Sequence, residues 1–219
     1  MLDRTNGQLI AANPYVKVSW ASRIDLKTGR PVLTDLLERA VAGEAVELWP
    51  LRGTNATLTA FNPKTGLLYV NSWNMKRTMK YVDFKFVLGS GSTGITSTMD
   101  MEKGQPAGYH EAIDPLTGKS KWKVPLMEYA SSAGMLATDG GLLFTGLLTG
   151  EFVALDQDSG KTLWSFKTGS AINAPPITYT HKGRQYVTVL SGIGGANPLR
   201  FAGKDVPPGG AVWTFALMQ

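Results

Sequence analysis

The sequence predicts an all-β protein built from repeated antiparallel sheets of similar size. One phrase occurs twice, as EAIDPLTGKSKW at 111–122 and as FVALDQDSGKTLW at 152–164, with a spacing of 42 residues. A repeat of about 40–45 residues is typical of stacked sheet units such as propeller blades. The composition agrees, because 25 glycines and 12 prolines suit many short strands joined by turns.

Each copy of the phrase predicts a hairpin. An aspartate precedes Thr or Ser and then Gly, a pattern in which the carboxylate accepts turn N–H groups and glycine takes positive φ. Strand-forming residues lie on both sides, and a tryptophan follows at a fixed distance, where neighbouring units can bury it. These residues are therefore interpreted as structural. They are Ala112, Asp114, Gly118, Lys119 and Trp122 in the first copy, and Ala154, Asp156, Gly160, Lys161 and Trp164 in the second.

The N-terminal half contains weaker copies of this turn, at 2–10, 24–31 and 61–70. They lack the tryptophan, and their irregular spacing leaves room for insertions. Residues 34–42 predict a short helix, with Thr34 or Asp35 as its cap and Gly43 at its end. We expect Leu36, Leu37, Ala40 and Val41 to form its apolar face.

Two strands, 58–61 and 67–71, are expected to pair across the turn at 62–66. Residues 72–110 are the least regular part and are predicted to leave the sheets. Within them, the alternation at 82–88 predicts one strand.

The C-terminal part has the most regular pattern. Strands are predicted at 135–138, 142–145, 152–155 and 162–166, which together form one complete four-stranded unit. A further unit is predicted from 176–179, 184–190 and 211–217, one strand short of the first.

Several classes of function find no support in the composition or motifs. No window has the roughly 18 apolar residues of a membrane span, and we expect no signal peptide before Asp3. The net charge is +5, and the cluster Lys76, Arg77 and Lys80 is interpreted as a solvated loop, so no nucleic-acid site is expected. With no cysteine and only His110 and His181, neither a zinc site nor a His-centred triad is predicted.

A glycine pattern at 89–94 matches GxGxxG, the fingerprint of dinucleotide-binding loops. That function requires a helix after the glycines, whereas Ile95-Thr96-Ser97-Thr98 favours a strand. The segment is therefore predicted to be a flexible loop.

The tandem AxDxx(T/S)GKxxW phrases resemble the tryptophan-docking motifs of the pyrroloquinoline quinone (PQQ)-dependent alcohol dehydrogenases, the quinoproteins that include methanol dehydrogenase. The resemblance extends over nearly the whole chain. It is carried by LDRTNGQLI at 2–10, VSWASRIDLKTGRPV at 18–32, the stretch from GMLATDGG to LSGIGG at 134–195 and GGAVWTFAL at 209–217. These segments are similar to the C-terminal third of such enzymes.

The resemblance implies an eight-bladed β-propeller of four-stranded antiparallel blades, of which this chain would form about three blades plus insertions. It implies PQQ beside a calcium or lanthanide ion, oxidation of an alcohol to an aldehyde, a cytochrome c acceptor and a periplasmic location. The family segments with the catalytic aspartate, the metal ligands and the tryptophan floor under the quinone have no counterpart here. We therefore predict no catalytic or metal-ligating residue, and no tight binding of PQQ by this chain alone.

The resemblance assigns a few site residues. The family's Asn-Trp pair at the quinone rim falls on Ser19 and Trp20, where serine lacks the amide donor. A backbone contact to the quinone would fall near Ser132 and Ala133. Trp73 and Asn74, with Met75 beside them, would line the substrate pocket. For Trp20 and Trp73, packing between blades is the alternative role.

We expect one partial-propeller domain over 1–219. Its parts are the end of a blade with a connecting hairpin (1–33), a blade with helical and loop insertions (34–134), a complete blade (135–167) and a last blade without its outer strand (168–219). Two functions remain open. The chain is either part of a quinoprotein dehydrogenase, completed by the remaining propeller segment, or a noncatalytic scaffold or binding module that pairs its exposed edges with a second copy.

Overall fold

The computed structural model describes residues 1–54, 57–89, 94–194 and 205–217. These residues form five antiparallel sheets and one short helix. Three of the sheets follow one another along the chain and are called sheets A, B and C. The elements of sheets A and B are β4 (Ala60–Asn62), β5 (Leu67–Trp73), β8 (Gly108–Ile113) and β9 (Ser120–Leu126) in A, and β10 (Leu136–Ala137), β11 (Leu142–Gly146), β12 (Glu151–Asp156) and β13 (Thr162–Lys167) in B.

Sheet C and two smaller sheets complete the described part. Sheet C has three strands there, and its order is β14-β15-β16. An N-terminal hairpin pairs β1 with β2, and an insertion sheet has the order β3-β6-β7. Their bounds are β14 (Ile177–His181), β15 (Arg184–Ser191), β16 (Ala211–Phe215), β1 (Ala21–Ile24), β2 (Pro31–Leu33), β3 (Val46–Leu48), β6 (Lys76–Tyr81) and β7 (Ile95–Asp100).

The repeated phrase forms the predicted hairpins, β8-β9 in sheet A and β12-β13 in sheet B. In the second, Asp156 Oδ1 accepts hydrogen bonds from the backbone N and the hydroxyl of Ser159, at 2.8 and 2.7 Å. These bonds hold the pKa of Asp156 below its usual value. Gly160 closes the turn at φ +72°. The first copy has the same arrangement around Asp114.

Sheets A and B pack face to face through an apolar cluster. Leu67, Tyr69 and Ala112 of sheet A meet Leu143 and Leu155 of sheet B. Sheets B and C pack similarly through a second cluster that includes Phe152 and Val189. Each sheet thus buries a face that it could not bury alone, which is the packing principle of a repeat protein.

The first repeat tryptophan joins sheet A to sheet B. Trp122 Nε1 donates to the backbone oxygen of Gln157 at 2.8 Å. Its ring lies over Gly160, where a Cβ atom would be 2.6 Å from Trp122 Cε3. Trp164, the second repeat tryptophan, contacts Phe215 of sheet C edge-on at 5.1 Å but remains 39% exposed.

Of two sequence predictions for the insertion region, one is wrong and one is partly right. Residues 82–88 form no strand, although the segment alternates, because no strand of the described residues pairs with it. The chain leaves sheet A between β5 and β8, as predicted for residues 72–110, but it forms the regular strands β6 and β7 there. Strand β7 follows the GxGxxG pattern, as its β-prone sequence predicted. The loop prediction for 89–94 falls mostly on 90–93, outside the described residues.

The predicted helix is present as α1 (Leu36–Val41), but its apolar face is partly wrong. Ala40 is buried, whereas Leu37 and Val41 are exposed. Asp35 occupies the N-cap without a side-chain cap bond. Within the described residues, no helix is long and apolar enough to cross a membrane.

Candidate functional site

A loop between β9 and β10, residues 131–134, lies where β5 and β11 end. Three side chains bind its carbonyl groups: Trp73 Nε1 donates to Ser131 O at 2.9 Å, Asn71 Nδ2 to Ala133 O at 2.7 Å, and Thr145 Oγ1 to Gly134 O at 3.0 Å. All three donors are buried. Within this 131–134 loop only Ser132 is partly exposed. The buried donors therefore fix the loop, while Ser132 remains accessible.

A histidine supports this anchor from the neighbouring strand. Asn71 of β5 and His110 of β8 are register partners, and His110 Nδ1 lies 2.5 Å from Asn71 Oδ1. Burial without a compensating charge lowers the pKa of His110 to about 4, so the imidazole is neutral at neutral pH. Its Nε2 is buried and has no hydrogen-bond partner among the described residues.

Trp73 and Asn74 lie at the end of β5. Trp73 is only 2% exposed, and the Arg52 guanidinium lies 4.7 Å from the centre of its ring. Asn74 Nδ2 donates to Pro106 O at 2.9 Å. Beside Trp73 is a cavity of about 60 Å³ whose walls include Met75, Met101 and Tyr129. This volume holds a small apolar group and not a fused-ring cofactor.

Ser19 and Trp20 lie on a separate segment before β1. The Ser19 hydroxyl accepts from Trp49 N at 2.8 Å and donates to Glu47 O at 3.3 Å, so it joins its segment to β3 and the residues that follow. Trp20 is 41% exposed, which leaves its ring available for a contact.

The segment at 49–53 connects the two groups of predicted residues. Its Trp49 O accepts from Ser19 N at 2.9 Å, and its Gly53 O accepts from Trp73 N at 3.0 Å. Trp73 is bonded directly to the 131–134 loop, whereas Ser19 is connected to Trp73 through this intermediate segment.

Sequence reasoning missed Asn71, His110 and Thr145. One signal was present, because Asn71 is a polar residue within the apolar strand LLYVNSW, where a buried amide requires partners. The partners themselves lie 39 and 74 positions away, and nothing in a single sequence pairs them.

Two carboxylates near the site have lysine partners. Lys76 Nζ lies 2.6 Å from Glu47 Oε2, and this bond lowers the pKa of Glu47. Glu111 is almost fully buried and has Lys123 Nζ at 3.4 Å. Among the described residues, no group of three or more His, Cys, Asp or Glu side chains could hold a metal ion.

A second, open cavity of about 610 Å³ lies elsewhere, between residues 10–13 and the β1-β2 turn. Its walls include Arg23, Asp25 and Lys27, and none of the predicted site residues lines it.

Successive antiparallel sheets that pack face to face, with a tryptophan of one sheet on the glycine turn of the next, define a β-propeller. The comparisons with known proteins agree. Residues 96–187 match the β-propeller domain of glucose, ethanol and alcohol dehydrogenases, the PQQ family. The predicted fold class, a partial propeller of antiparallel blades, is thus confirmed.

Several similar proteins are alcohol dehydrogenases. A quinoprotein ethanol dehydrogenase from Pseudomonas putida is 40% identical over 99% of this chain and 37% of its own length. The lanthanide-dependent methanol dehydrogenase of Methylorubrum extorquens is 37% identical over 89% of this chain and 34% of its own. Among solved structures, a europium-containing methanol dehydrogenase superposes with a TM-score of 0.85 at 31% identity, covering 99% of this chain and 42% of that one.

The chain belongs to the quinoprotein alcohol dehydrogenase family, as the sequence resemblance predicted. It spans about a third of the length of the curated relatives that it matches.

Proposed function

We propose that this chain is the C-terminal propeller portion of a quinoprotein dehydrogenase that oxidises an alcohol to an aldehyde. The observation that supports this most is the 131–134 loop, which three buried donors hold while Ser132 stays partly exposed. A loop fixed in this way can present backbone groups to a rigid ligand without losing conformational entropy on binding.

The chemistry of PQQ fits part of this surface. The quinone is a flat tricarboxylate, so it needs an apolar ring contact and N–H or cationic donors at its rim. In this proposal Trp20 supplies the ring contact, Ser19 lies beside it, and Ser132 meets the rim. Ala133, the other loop residue predicted to contact the quinone, has no exposed surface and supports the loop instead. When bound, the quinone accepts the two electrons that the alcohol loses.

The residues beside Trp73 fit the substrate better than the cofactor. The cavity of about 60 Å³ has mostly apolar walls, so it suits a small apolar group. We propose that Trp73, Asn74 and Met75 bound the substrate pocket, with the Trp73 indole holding the 131–134 loop at the same time.

Calcium takes six to eight oxygen ligands, several of them carboxylates, and the described residues contain no group of three or more His, Cys, Asp or Glu that could hold a metal ion. The ion, calcium or a lanthanide, and the general base therefore belong to the remaining propeller segment in this proposal. His110 is no substitute for that base, because it is buried and bonded to Asn71. We expect the isolated chain to be inactive.

A titration with PQQ and Ca²⁺, with a lanthanide in a parallel series, tests the proposal. Quinone absorbance reports binding, and reduction of a dye in the presence of alcohol reports turnover. We expect weak binding and no turnover. Rapid alcohol oxidation by the isolated chain would contradict the assignment of the base and metal to another segment, and absence of any binding would contradict the proposed quinone surface.

The proposal also includes a cytochrome c acceptor and a periplasmic location. Co-expression with the missing propeller segment of a relative would test both the completion of the ring and the acceptor. Reduction of a cytochrome c by the reconstituted protein, and not by the chain alone, is the expected result.

A noncatalytic, self-associating scaffold is the second candidate. Trp164 favours it, because this tryptophan remains 39% exposed although it contacts Phe215 of sheet C, while its repeat equivalent, Trp122, is partly buried against sheet B. A second copy that covers the Trp164 edge would bury it. Sedimentation should then show a dimer that Trp164→Ala dissociates, whereas a stable monomer would contradict this candidate.

A further inference from the structure

The buried pair of Asn71 and His110 is not used by the proposed chemistry, yet its hydrogen bonds lead to the 131–134 loop. We propose that this pair is a positioning device, in which His110 orients the Asn71 amide so that Asn71 holds the loop in the shape that contacts the quinone. This inference rests on the proposed function.

The direction of each hydrogen bond follows from chemistry. Ala133 O is a backbone carbonyl and only accepts, so the atom of Asn71 that faces it at 2.7 Å is the amide nitrogen. The other amide hydrogen points to Thr145 Oγ1 at 3.0 Å. Asn71 Oδ1 therefore faces His110, and His110 Nδ1 carries the hydrogen that it donates.

Thr145 continues the same network. Its hydroxyl accepts from Asn71 and donates to Gly134 O at 3.0 Å. The Asn71 amide thus holds two successive loop carbonyls. It binds Ala133 O directly and Gly134 O through the Thr145 hydroxyl. A rotation of the Asn71 amide by half a turn would place its oxygen against Ala133 O and Thr145 Oγ1. The His110 N–H opposes that rotation, because it would then face the amide nitrogen and lose its acceptor.

Burial makes a misoriented Asn71 amide costly. Asn71, Ala133 and Thr145 have no exposed surface, so water cannot replace a lost bond. His110 also stays neutral, which leaves Nδ1 as its only N–H and fixes the tautomer. The pair therefore acts on the loop through donor geometry and not through charge.

Two sets of variants of the full chain test the inference. Asn71→Ala removes the donor, and Asn62→Ala is the matched control, since Asn62 is also buried and donates to sheet B, at Gln157 Oε1, away from the loop. For His110, the variant His110→Asn keeps a donor near the position of Nδ1, while His110→Leu fills the space without one. Asn71→Asp keeps the shape of the side chain but lacks the N–H donor, and it replaces Asn71→Ala in the test if that variant does not fold.

Amide hydrogen exchange at 133–135 is measured first, without cofactor. We expect Asn71→Ala to accelerate it about tenfold and Asn62→Ala to leave it unchanged. His110→Asn should exchange more slowly than His110→Leu, a difference that a purely space-filling role does not produce. Unchanged exchange in Asn71→Ala, or equal exchange in the two His110 variants, would overturn the inference.

Titration with PQQ and Ca²⁺ then separates this inference from the proposed function. If both hold, the Kd for PQQ rises about tenfold in Asn71→Ala and not in Asn62→Ala. If the original chain binds no PQQ while Asn71→Ala still loosens the loop, the proposed function fails and the positioning of the loop stands. If PQQ binds and Asn71→Ala leaves its Kd unchanged, the inference fails and the proposed function stands.

Discussion

The indole nitrogen of Trp122 donates a 2.8 Å hydrogen bond to the backbone oxygen of Gln157 on the neighbouring sheet. This bond joins β9, the strand after the first repeat turn, to the β12-β13 turn of the second repeat. It gives Trp122 a role that phenylalanine could not fill, since a phenyl ring offers no donor.

Replacement of Trp122 by phenylalanine should lower the free energy of unfolding by about 1–3 kcal/mol, through the lost hydrogen bond and the smaller ring. Trp164→Phe is the control, because Trp164 is 39% exposed and meets sheet C through an edge-on ring contact with Phe215. Urea unfolding measures both. Equal losses in the two variants would show that inter-sheet docking adds nothing at Trp122.

The glycine beneath this ring gives a second prediction. Gly160 has φ +72°, and an added Cβ would lie 2.6 Å from Trp122 Cε3. Gly29 has φ +70° in the turn of the N-terminal hairpin with open space around it. Gly29→Ala should cost about 1 kcal/mol for the backbone alone, and Gly160→Ala about 1–3 kcal/mol more for the displaced ring. Thermal or urea unfolding measures the stability of both variants. Equal losses for Gly29→Ala and Gly160→Ala would contradict the packing explanation.

Local chemistry made the turns predictable. Asp25, Asp114 and Asp156 each accept turn N–H groups within three residues, so a short stretch of sequence contains the whole motif. The helix was predicted for the same reason. Its buried face was not, because exposure of Leu37 and Val41 depends on which sheets surround it.

Long-range partners account for what the sequence did not predict. Residues 82–88 alternate like a strand, but a strand also needs a neighbour, and β6 and β7 pair with each other instead. The site shows the same limit. Trp73 and Ser132 were predicted through family resemblance, whereas the Asn71–His110 bond joins strands that β6 and β7 separate in the sequence.

A buried amide between sheets A and B gives a third prediction. Gln157 Nε2 donates to Thr138 O and Leu142 O at 2.7 and 2.8 Å, and its Oε1 accepts from Asn62 at 2.6 Å. Gln157→Leu removes these three hydrogen bonds and deprives the buried Asn62 amide of this acceptor, so we expect a loss of about 3 kcal/mol in unfolding free energy.

The neighbouring residue Asp158 supplies the control for Gln157. Its carboxylate pairs with Lys121 at 2.8 Å on the exposed surface, so Asp158→Asn should cost less than about 1 kcal/mol. Calorimetry on the two variants distinguishes a buried network from a surface ion pair. A Gln157→Leu variant as stable as Asp158→Asn would mean that the amide is dispensable.

The pH dependence of stability should reveal His110. Burial lowers the pKa of its imidazole from 6.5 to about 4, so the folded chain resists a proton that the unfolded chain accepts. Stability is therefore complete above pH 6.5 and falls as the pH drops from 6.5 to 4, by about 1.4 kcal/mol per unit and about 3 kcal/mol in all. Unfolding free energies of the original chain and of His110→Asn are compared at each pH.

The comparison of the original chain with His110→Asn cancels the contributions of other titratable groups to the pH dependence of stability. The aspartates of the repeat turns have lowered pKa values and lose their stabilisation only as the pH falls below about 3.8, equally in both proteins. The His110→Asn variant should thus show a flatter profile between pH 6.5 and 4. Parallel profiles would mean that His110 titrates normally in the folded state.

The last prediction concerns the exposed ring of Trp20. If this ring covers a face of the quinone, Trp20→Ala should raise the Kd for PQQ about tenfold, which corresponds to about 1.4 kcal/mol of lost contact. Stability should change little, because the side chain is 41% exposed. Trp164→Ala is a matched control, since Trp164 is 39% exposed but lies on the sheet B edge, away from the 131–134 loop. Quenching of tryptophan fluorescence by added PQQ measures both variants. If the two substitutions weaken binding equally, the quinone does not lie on Trp20, and packing remains the role of that ring.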